Sequence, residues 1–135
     1  MAAIPAPLSS TRARNGARVS LWILAALFVV AGVLHFVIPD SYTRIVPRWL
    51  PAPRLLVYVS GVFEMLGGVG LLISPVRRPA AWGLIALLIA VLPANIQMLE
   101  AAHVAGASAL AQTLLWFRLP LQPLLMWWVY RSAIA

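Results

Sequence analysis

The chain has 135 residues and a formal net charge of +7, and 63% of its residues are hydrophobic whereas 10% are charged. A soluble domain is usually about 45–50% apolar and about 25% charged, so this composition predicts an integral membrane protein. All ten basic residues are arginines, and nine of them lie outside the apolar runs, which favours a role in membrane topology over nucleic-acid binding. The absence of cysteine excludes disulfides, thiolate metal sites and a dithiol relay.

The N-terminal segment is rich in Ala, Pro, Ser and Arg, which predicts a flexible basic tail over residues 1–19. The apolar run over residues 20–38 is about 19 residues long, which is enough to cross a bilayer. No small-residue cleavage site follows it. We therefore expect an uncleaved first helix rather than a signal peptide.

Three further apolar stretches have similar lengths, over residues 55–74, 80–99 and 109–130. Backbone polar groups in lipid must be satisfied within their own segment, which predicts helices. The fold class is therefore all-α, and residues 20–131 are predicted to form a four-transmembrane-helix bundle. Prolines inside the third and fourth stretches are expected to kink those helices.

Arginine placement and the first loop predict the topology. Six arginines fall on the side that carries the termini and three on the other, so we expect both termini in the cytoplasm and the protein in the inner (plasma) membrane. In the first loop, Asp40 is predicted to cap a short helix over residues 41–46. The Tyr42 ring is predicted to lie at head-group level as a lipid anchor.

Strongly polar residues interrupt all four apolar stretches. His35 ends the first, Glu64 lies in the second, Asn95 lies late in the third, and Arg118 and Gln122 stack one turn apart in the fourth. A charge near the bilayer centre costs about 2.5–3.5 kcal/mol on the mildest scale. Helix direction places His35, Glu64, Asn95 and Arg118 in the same half of the membrane, so we predict one shared polar pocket that binds a ligand.

Several interpretations of this pocket stay open. We expect Arg118, which is always protonated, to pair with Glu64 directly or through water. The polar residues either form a structural network that fixes helix register, or bind a head group, a quinone or a small anion with His35 at the mouth. Axial haem ligation by His35 and His103 is a weaker alternative. The sequence indicates no metal site and no catalytic residue.

Four stretches carry a family resemblance. They read GVLHFVIPDSYTRIVPRWLP (32–51), SGVFEMLGGVGLL (60–72), RRPAAWGLIALLIAVLPANIQM (77–98) and FRLPLQPLLMWWVYR (117–131). With their HF-x-x-PD-x-Y, SG-x-x-E, PAN and R-LP-Q elements, the chain resembles the DoxX-like family of small integral membrane proteins. The resemblance implies a four-helix membrane bundle and a link to redox physiology, since the family's namesake is a membrane subunit of a thiosulfate–quinone oxidoreductase.

The first functional hypothesis is therefore a membrane subunit or anchor that serves a quinone-linked redox system. Glu64 and Arg118 would form the central pair, and Asn95 would orient a polar group of a quinone that is bound without covalent attachment. The expected partners are the lipid bilayer, a membrane-associated oxidoreductase and further copies of the chain, but no nucleic acid. The alternatives are a small-solute transporter and a structural scaffold without its own activity, so enzymatic activity is left open.

Overall fold

A computed structural model describes residues 8–135, in which the regular secondary structure is entirely helical. A single 3-10 turn over Ser74–Val76 precedes α4. The helices, numbered in chain order, are α1 Leu8–Val37, α2 Pro39–Thr43, α3 Pro53–Leu72, α4 Arg77–Val104 and α5 Ala109–Ala133.

Three helical segments are long and apolar enough to cross a membrane, namely Thr11–Val37, Pro53–Leu72 and Ser74–Val104. They correspond to the first three predicted spans. The fourth predicted span corresponds to α5, which has 25 residues but carries Arg118, two glutamines and two prolines that reduce its apolar character. That α5 also crosses the membrane stays a prediction.

The N-terminal helix extends beyond the predicted first span. Residues 8–19, which were expected to belong to a flexible tail, continue α1, whereas residues 1–7 lie outside the described part of the chain. Alanine and arginine are strong helix formers, and a helix that has already formed in the span propagates at low cost. The side chains of residues 11–19 are exposed, so this extension makes little contact with the bundle.

The short helix in the first loop begins earlier than predicted. Pro39 occupies its first helical position and Ile38 the capping position, so the expected capping role of Asp40 is wrong. Proline is favoured at the first helical position because its φ angle is already helical. Asp40 instead lies in the first turn, and its Oδ1 atom is 3.3 Å from Nη1 of Arg54.

Glycines allow α1 and α4 to approach α3, which lies between them. A Cβ atom on Gly32 of α1 would lie 2.6 Å from the carbonyl oxygen of Gly61, and one on Gly68 would lie 3.0 Å from that of Ala25. On the other side of α3, a Cβ atom on Gly67 would lie 2.5 Å from the Leu84 side chain of α4. Small residues at helix interfaces are typical of membrane bundles.

The bundle is closed at the end that holds the start of the first predicted span and the end of α5. Ser20 and Ser132 share a hydrogen bond of 2.8 Å between their hydroxyl groups, and Trp128 Nε1 donates to Ser20 Oγ at 2.5 Å. Below them, a core cluster includes the fully buried side chains of Leu24, Leu71, Leu84 and Val129.

Replacing Ser20 by alanine is expected to weaken this closed end. The Trp128 indole N–H would lose its acceptor, and interhelical hydrogen bonds in membrane proteins are worth about 0.6 kcal/mol on average and about 1.7 kcal/mol at most. We expect a lower thermal midpoint in detergent for Ser20→Ala and an unchanged midpoint for Ser41→Ala, whose serine is exposed. Equal midpoints for the two variants would mean that the contact does not hold α1 and α5 together.

Candidate functional site

A cleft of about 710 Å³ lies between α1, α3, α4, α5 and the loop after α2. It occupies the half of the bundle opposite the Ser20–Ser132 contact. Its walls are mostly apolar, with Phe28, Val57, Phe63 and Leu88 among them. The cleft is not enclosed, because residues from three of the helices that line it are exposed, among them Leu27, Phe63 and Leu121.

All five predicted site residues line this one cleft: His35, Glu64, Asn95, Arg118 and Gln122. They come from four different helices, and the structure therefore brings together residues that are up to 87 positions apart in the chain, from position 35 to position 122. That they bind a ligand stays a prediction.

His35 and Glu64 form a buried polar contact of the cleft. His35 Nδ1 lies 2.8 Å from the Ala31 carbonyl oxygen and 3.3 Å from Glu64 Oε2. A carbonyl oxygen can only accept, so Nδ1 carries the hydrogen atom and donates to Ala31. The two side chains are 10% and 12% exposed, so both polar groups are largely removed from solvent.

The predicted direct pair between Glu64 and Arg118 does not form. Within residues 8–135, close contacts between basic and acidic side chains join His35 to Glu64 and Arg54 to Asp40, and neither contact includes Arg118. Arg118 is exposed at the open side of the cleft. The reason is the helix arrangement, because α5 packs mainly on α4, whereas Glu64 lies on α3 beside α1.

Asn95 and Gln122 form a network that joins α4 to α5. Asn95 Nδ2 donates to Gln122 Oε1 at 2.9 Å, and Gln122 Nε2 donates to the Leu88 carbonyl oxygen. Pro93 lies in α4 between Leu88 and Asn95 and lacks the N–H that would continue the helix ladder. Both helices nevertheless continue through their prolines. The contacts of Asn95 and Gln122 are those expected of a structural network that fixes the register of two helices.

Two further residues of the cleft were not among the predicted site residues. The ring of Tyr42 stacks on that of His35, with centroids 4.0 Å apart and planes at 22°. Burial raises the pKa of the Tyr42 phenol above its ordinary value, the Glu64 carboxylate raises it further and Arg118 partly offsets this. The phenol therefore stays protonated at neutral pH. The HF-x-x-PD-x-Y element contains both His35 and Tyr42, and it was the sequence feature from which a place for Tyr42 in the cleft could have been predicted.

Ser60 is the other addition, one helical turn before Glu64 on α3. Within the described residues, Ser60 Oγ and Glu64 Oε2 are buried and have no hydrogen-bond partner. Both residues line the cleft.

Residues 24–133 match the model of a protein family described as Domain of unknown function (DUF8561). The chain belongs to this family. No curated protein and no solved structure is similar enough to this chain to be matched. The matched segment begins in α1 and ends in α5, so the DUF8561 domain contains every residue that lines the cleft.

His103 lies outside the cleft of the DUF8561 domain. It is exposed near the end of α4, and its Nδ1 atom is 3.3 Å from Gln112 Oε1. The structure does not bring it to His35, so the two histidines do not form a haem-ligand pair. In the part of the chain that the structure describes, no three His, Cys, Asp or Glu side chains group as a metal site.

Replacing Gln122 by leucine is expected to separate α4 from α5 in the DUF8561 domain. The change removes two interhelical hydrogen bonds and leaves the Asn95 amide without its acceptor. At about 0.6–1.7 kcal/mol each, the loss should lower the unfolding free energy by about 1–3 kcal/mol in detergent. Gln97→Leu serves as the control, since Gln97 makes one longer bond of 3.5 Å to Val46. Equal losses in the two variants would count against the network.

Proposed function

We propose that this chain is an integral membrane protein of four spanning helices that binds a quinone in its cleft and serves a quinone-linked redox system as a membrane subunit or anchor. One observation carries the proposal. The cleft is a largely apolar chamber that receives polar side chains from four helices, and exposed apolar residues such as Leu27, Phe63 and Leu121 line it where a membrane-soluble molecule could enter.

Membrane insertion of α5 is the first part of the proposal. A helix of 25 residues is about 38 Å long at 1.5 Å per residue, which exceeds the hydrocarbon thickness of about 30 Å. Its buried Gln122 and its Arg118 line the cleft. Polar residues in spanning helices are tolerated where they face such a cavity.

The dimensions and chemistry of the cleft support a quinone as the ligand. Small-molecule pockets usually have volumes of about 300–1,000 Å³ with apolar walls and a few polar groups. A quinone has a flat ring, an apolar tail and two oxygen atoms, which suits walls such as Phe28 and Phe63 beside His35 and Ser60. The protonated phenol of Tyr42 adds a hydrogen-bond donor at the His35 side.

The resemblance to DoxX-like proteins supports the redox context. The chain has no cysteine, so electrons would reach a bound quinone from a partner, and we propose a membrane-associated oxidoreductase as that partner. With both termini in the cytoplasm of a cell with an inner membrane, the cleft would lie in the outward-facing half of that membrane.

Passage of a small anionic solute is the second candidate function. Arg118 lines the open side of the cleft and forms no ion pair among the described residues. An uncompensated guanidinium at this place would attract an anion. Uptake of a labelled anion into proteoliposomes, abolished by Arg118→Ala, would favour this function over quinone binding.

Filling the cleft tests the proposed function directly. Ala94 lines the cleft, whereas Ile89 lies on the same helix, is 56% exposed and does not line the cleft. The wild type and the variants Ala94→Trp and Ile89→Trp are purified in mild detergent from the membranes of the expressing cells, and bound quinone is extracted and quantified. We expect quinone with the wild type and with Ile89→Trp, and a loss of at least about tenfold with Ala94→Trp. Equal quinone in all three samples, or none in the wild type, would refute the proposal.

A further inference from the structure

One face of α3 presents two oxygen atoms that lack partners. Ser60 Oγ and Glu64 Oε2 lie one helical turn apart, both are buried, and neither has a hydrogen-bond partner within the described residues. A buried polar atom without a partner costs about 1–3 kcal/mol. Both residues line the cleft, so a change of side-chain rotamer would bring each oxygen atom within reach of a ligand seated there.

The neighbours of Glu64 define what such a ligand must supply. His35 Nδ1 is the nearest donor, but its hydrogen atom is directed to the Ala31 carbonyl oxygen at 2.8 Å rather than to Glu64 at 3.3 Å. The carboxylate oxygen therefore lacks a donor. Ser60 can both donate and accept. Together, the two residues call for a ligand oxygen that carries a hydrogen atom and also accepts one.

The hydrogen-bonding groups of the buried Gln122 do not compete for this ligand oxygen. Asn95 Nδ2 and both polar groups of Gln122 are already used in the contacts between α4 and α5. The unmet hydrogen-bonding capacity of the buried residues is thus concentrated on α3.

We propose that Ser60 and Glu64 form the head-group site for the reduced, hydroxyl-bearing quinol, with the quinol O–H donating to Glu64 Oε2 and its oxygen accepting from Ser60 Oγ. This inference rests on the proposed function and adds the redox form of the ligand. With Glu64 ionised, a quinone carbonyl, which can only accept, would satisfy Ser60 and leave the carboxylate oxygen unpaired. A site whose buried polar group stays unpaired with one analogue discriminates against that analogue.

The test compares both redox forms on the purified full chain. A short-chain ubiquinol analogue and its oxidised quinone are titrated anaerobically in detergent by calorimetry. We expect the wild type to bind the quinol at least about tenfold more tightly than the quinone. Equal affinities, or tighter binding of the quinone, would overturn the assignment without any variant being needed.

Two variants then separate the roles of the two oxygens. Ser60→Ala is expected to weaken the binding of both redox forms, because Ser60 donates to the oxygen of either form. Glu64→Gln is expected to weaken the binding of the quinol selectively and to reduce the ratio of quinol affinity to quinone affinity at least about threefold. The controls are Ser41→Ala and Glu100→Gln, whose side chains are exposed outside the cleft and should change neither affinity. A preference that Glu64→Gln leaves unchanged would refute the role of Glu64.

The outcomes distinguish this inference from the proposed function. If the wild type binds neither redox form, the quinone-binding function itself fails. If it binds both forms equally, the function stands and the assignment of Ser60 and Glu64 to the reduced head group fails.

Discussion

Replacing Gly32 by alanine is expected to force α1 away from α3 and to destabilise the bundle. The new Cβ atom would lie 2.6 Å from the Gly61 carbonyl oxygen and 2.6 Å from Met65 Cγ. The side chain of Met65 can move, but the backbone carbonyl cannot move without shifting the helix. Such overpacking costs about 1–3 kcal/mol. Alanine in place of glycine stabilises a helix by about 0.8–1.0 kcal/mol, so the expected net effect is destabilising.

Gly83→Ala is the matched control for this prediction. Gly83 also lies inside a long helix, and a Cβ atom there would meet nothing within 4 Å. Denaturant unfolding in detergent, followed by circular dichroism, should show a loss for Gly32→Ala and a small gain for Gly83→Ala. The same shift in both variants would mean that the close approach of α1 and α3 does not exist. Gly61 lies beside His35, so Gly61→Ala should also disturb the contact between His35 and Glu64.

Replacing His35 by leucine is expected to have the largest effect at the cleft. Glu64 would lose its nearest polar side chain, whose Nδ1 atom is 3.3 Å from Oε2, while its own side chain stays 88% buried. A buried polar group that loses its partner typically costs about 1–3 kcal/mol, whereas replacement of both members of a buried pair by apolar residues is often close to neutral. We therefore expect little folded His35→Leu protein in membranes, and a substantial recovery in the double variant His35→Leu/Glu64→Leu.

The exposed ion pair between Arg54 and Asp40 provides the comparison for the His35 and Glu64 variants. Arg54 and Asp40 are 3.3 Å apart, but their side chains are 59% and 72% exposed, so Asp40→Asn should barely change the yield or the midpoint. All three variants are compared with the wild type by the yield of monodisperse protein and by its thermal midpoint in detergent. If the double variant is no better than His35→Leu, the contribution of His35 comes from its stacking on Tyr42 and not from Glu64.

Much of the helical structure could be predicted, because hydropathy identifies segments that must satisfy their backbones within lipid. The second predicted span, residues 55–74, differs from α3 by only two residues at each end. Hydropathy does not mark where a helix ends in water, however. The extension of α1 back to Leu8 and of α4 on to Val104 depends on alanine, arginine and glutamate as helix formers.

The cleft could be predicted only in part. Depth and helix face were enough to group His35, Glu64, Asn95 and Arg118, since a polar residue in a spanning helix turns away from lipid. Which residue pairs with which depends on the order in which the helices pack. Periodicity within each helix carries no information about that order, so Glu64 was paired with Arg118 on α5 instead of with His35 on α1. Ser60 and Tyr42 could likewise not be assigned to the cleft from the sequence, because their roles depend on their positions beside His35 and Glu64.

Photoaffinity labelling with an azido-quinone tests the central claim most directly. The full chain is labelled in its native membrane, with and without excess unlabelled quinone, and the modified peptides are mapped by mass spectrometry. We predict labels in the cleft-lining parts of α1, α3, α4 and α5 that disappear with competitor and in Ala94→Trp. Labels confined to the outer faces of the helices, and unchanged by competitor, would contradict a quinone site between these helices.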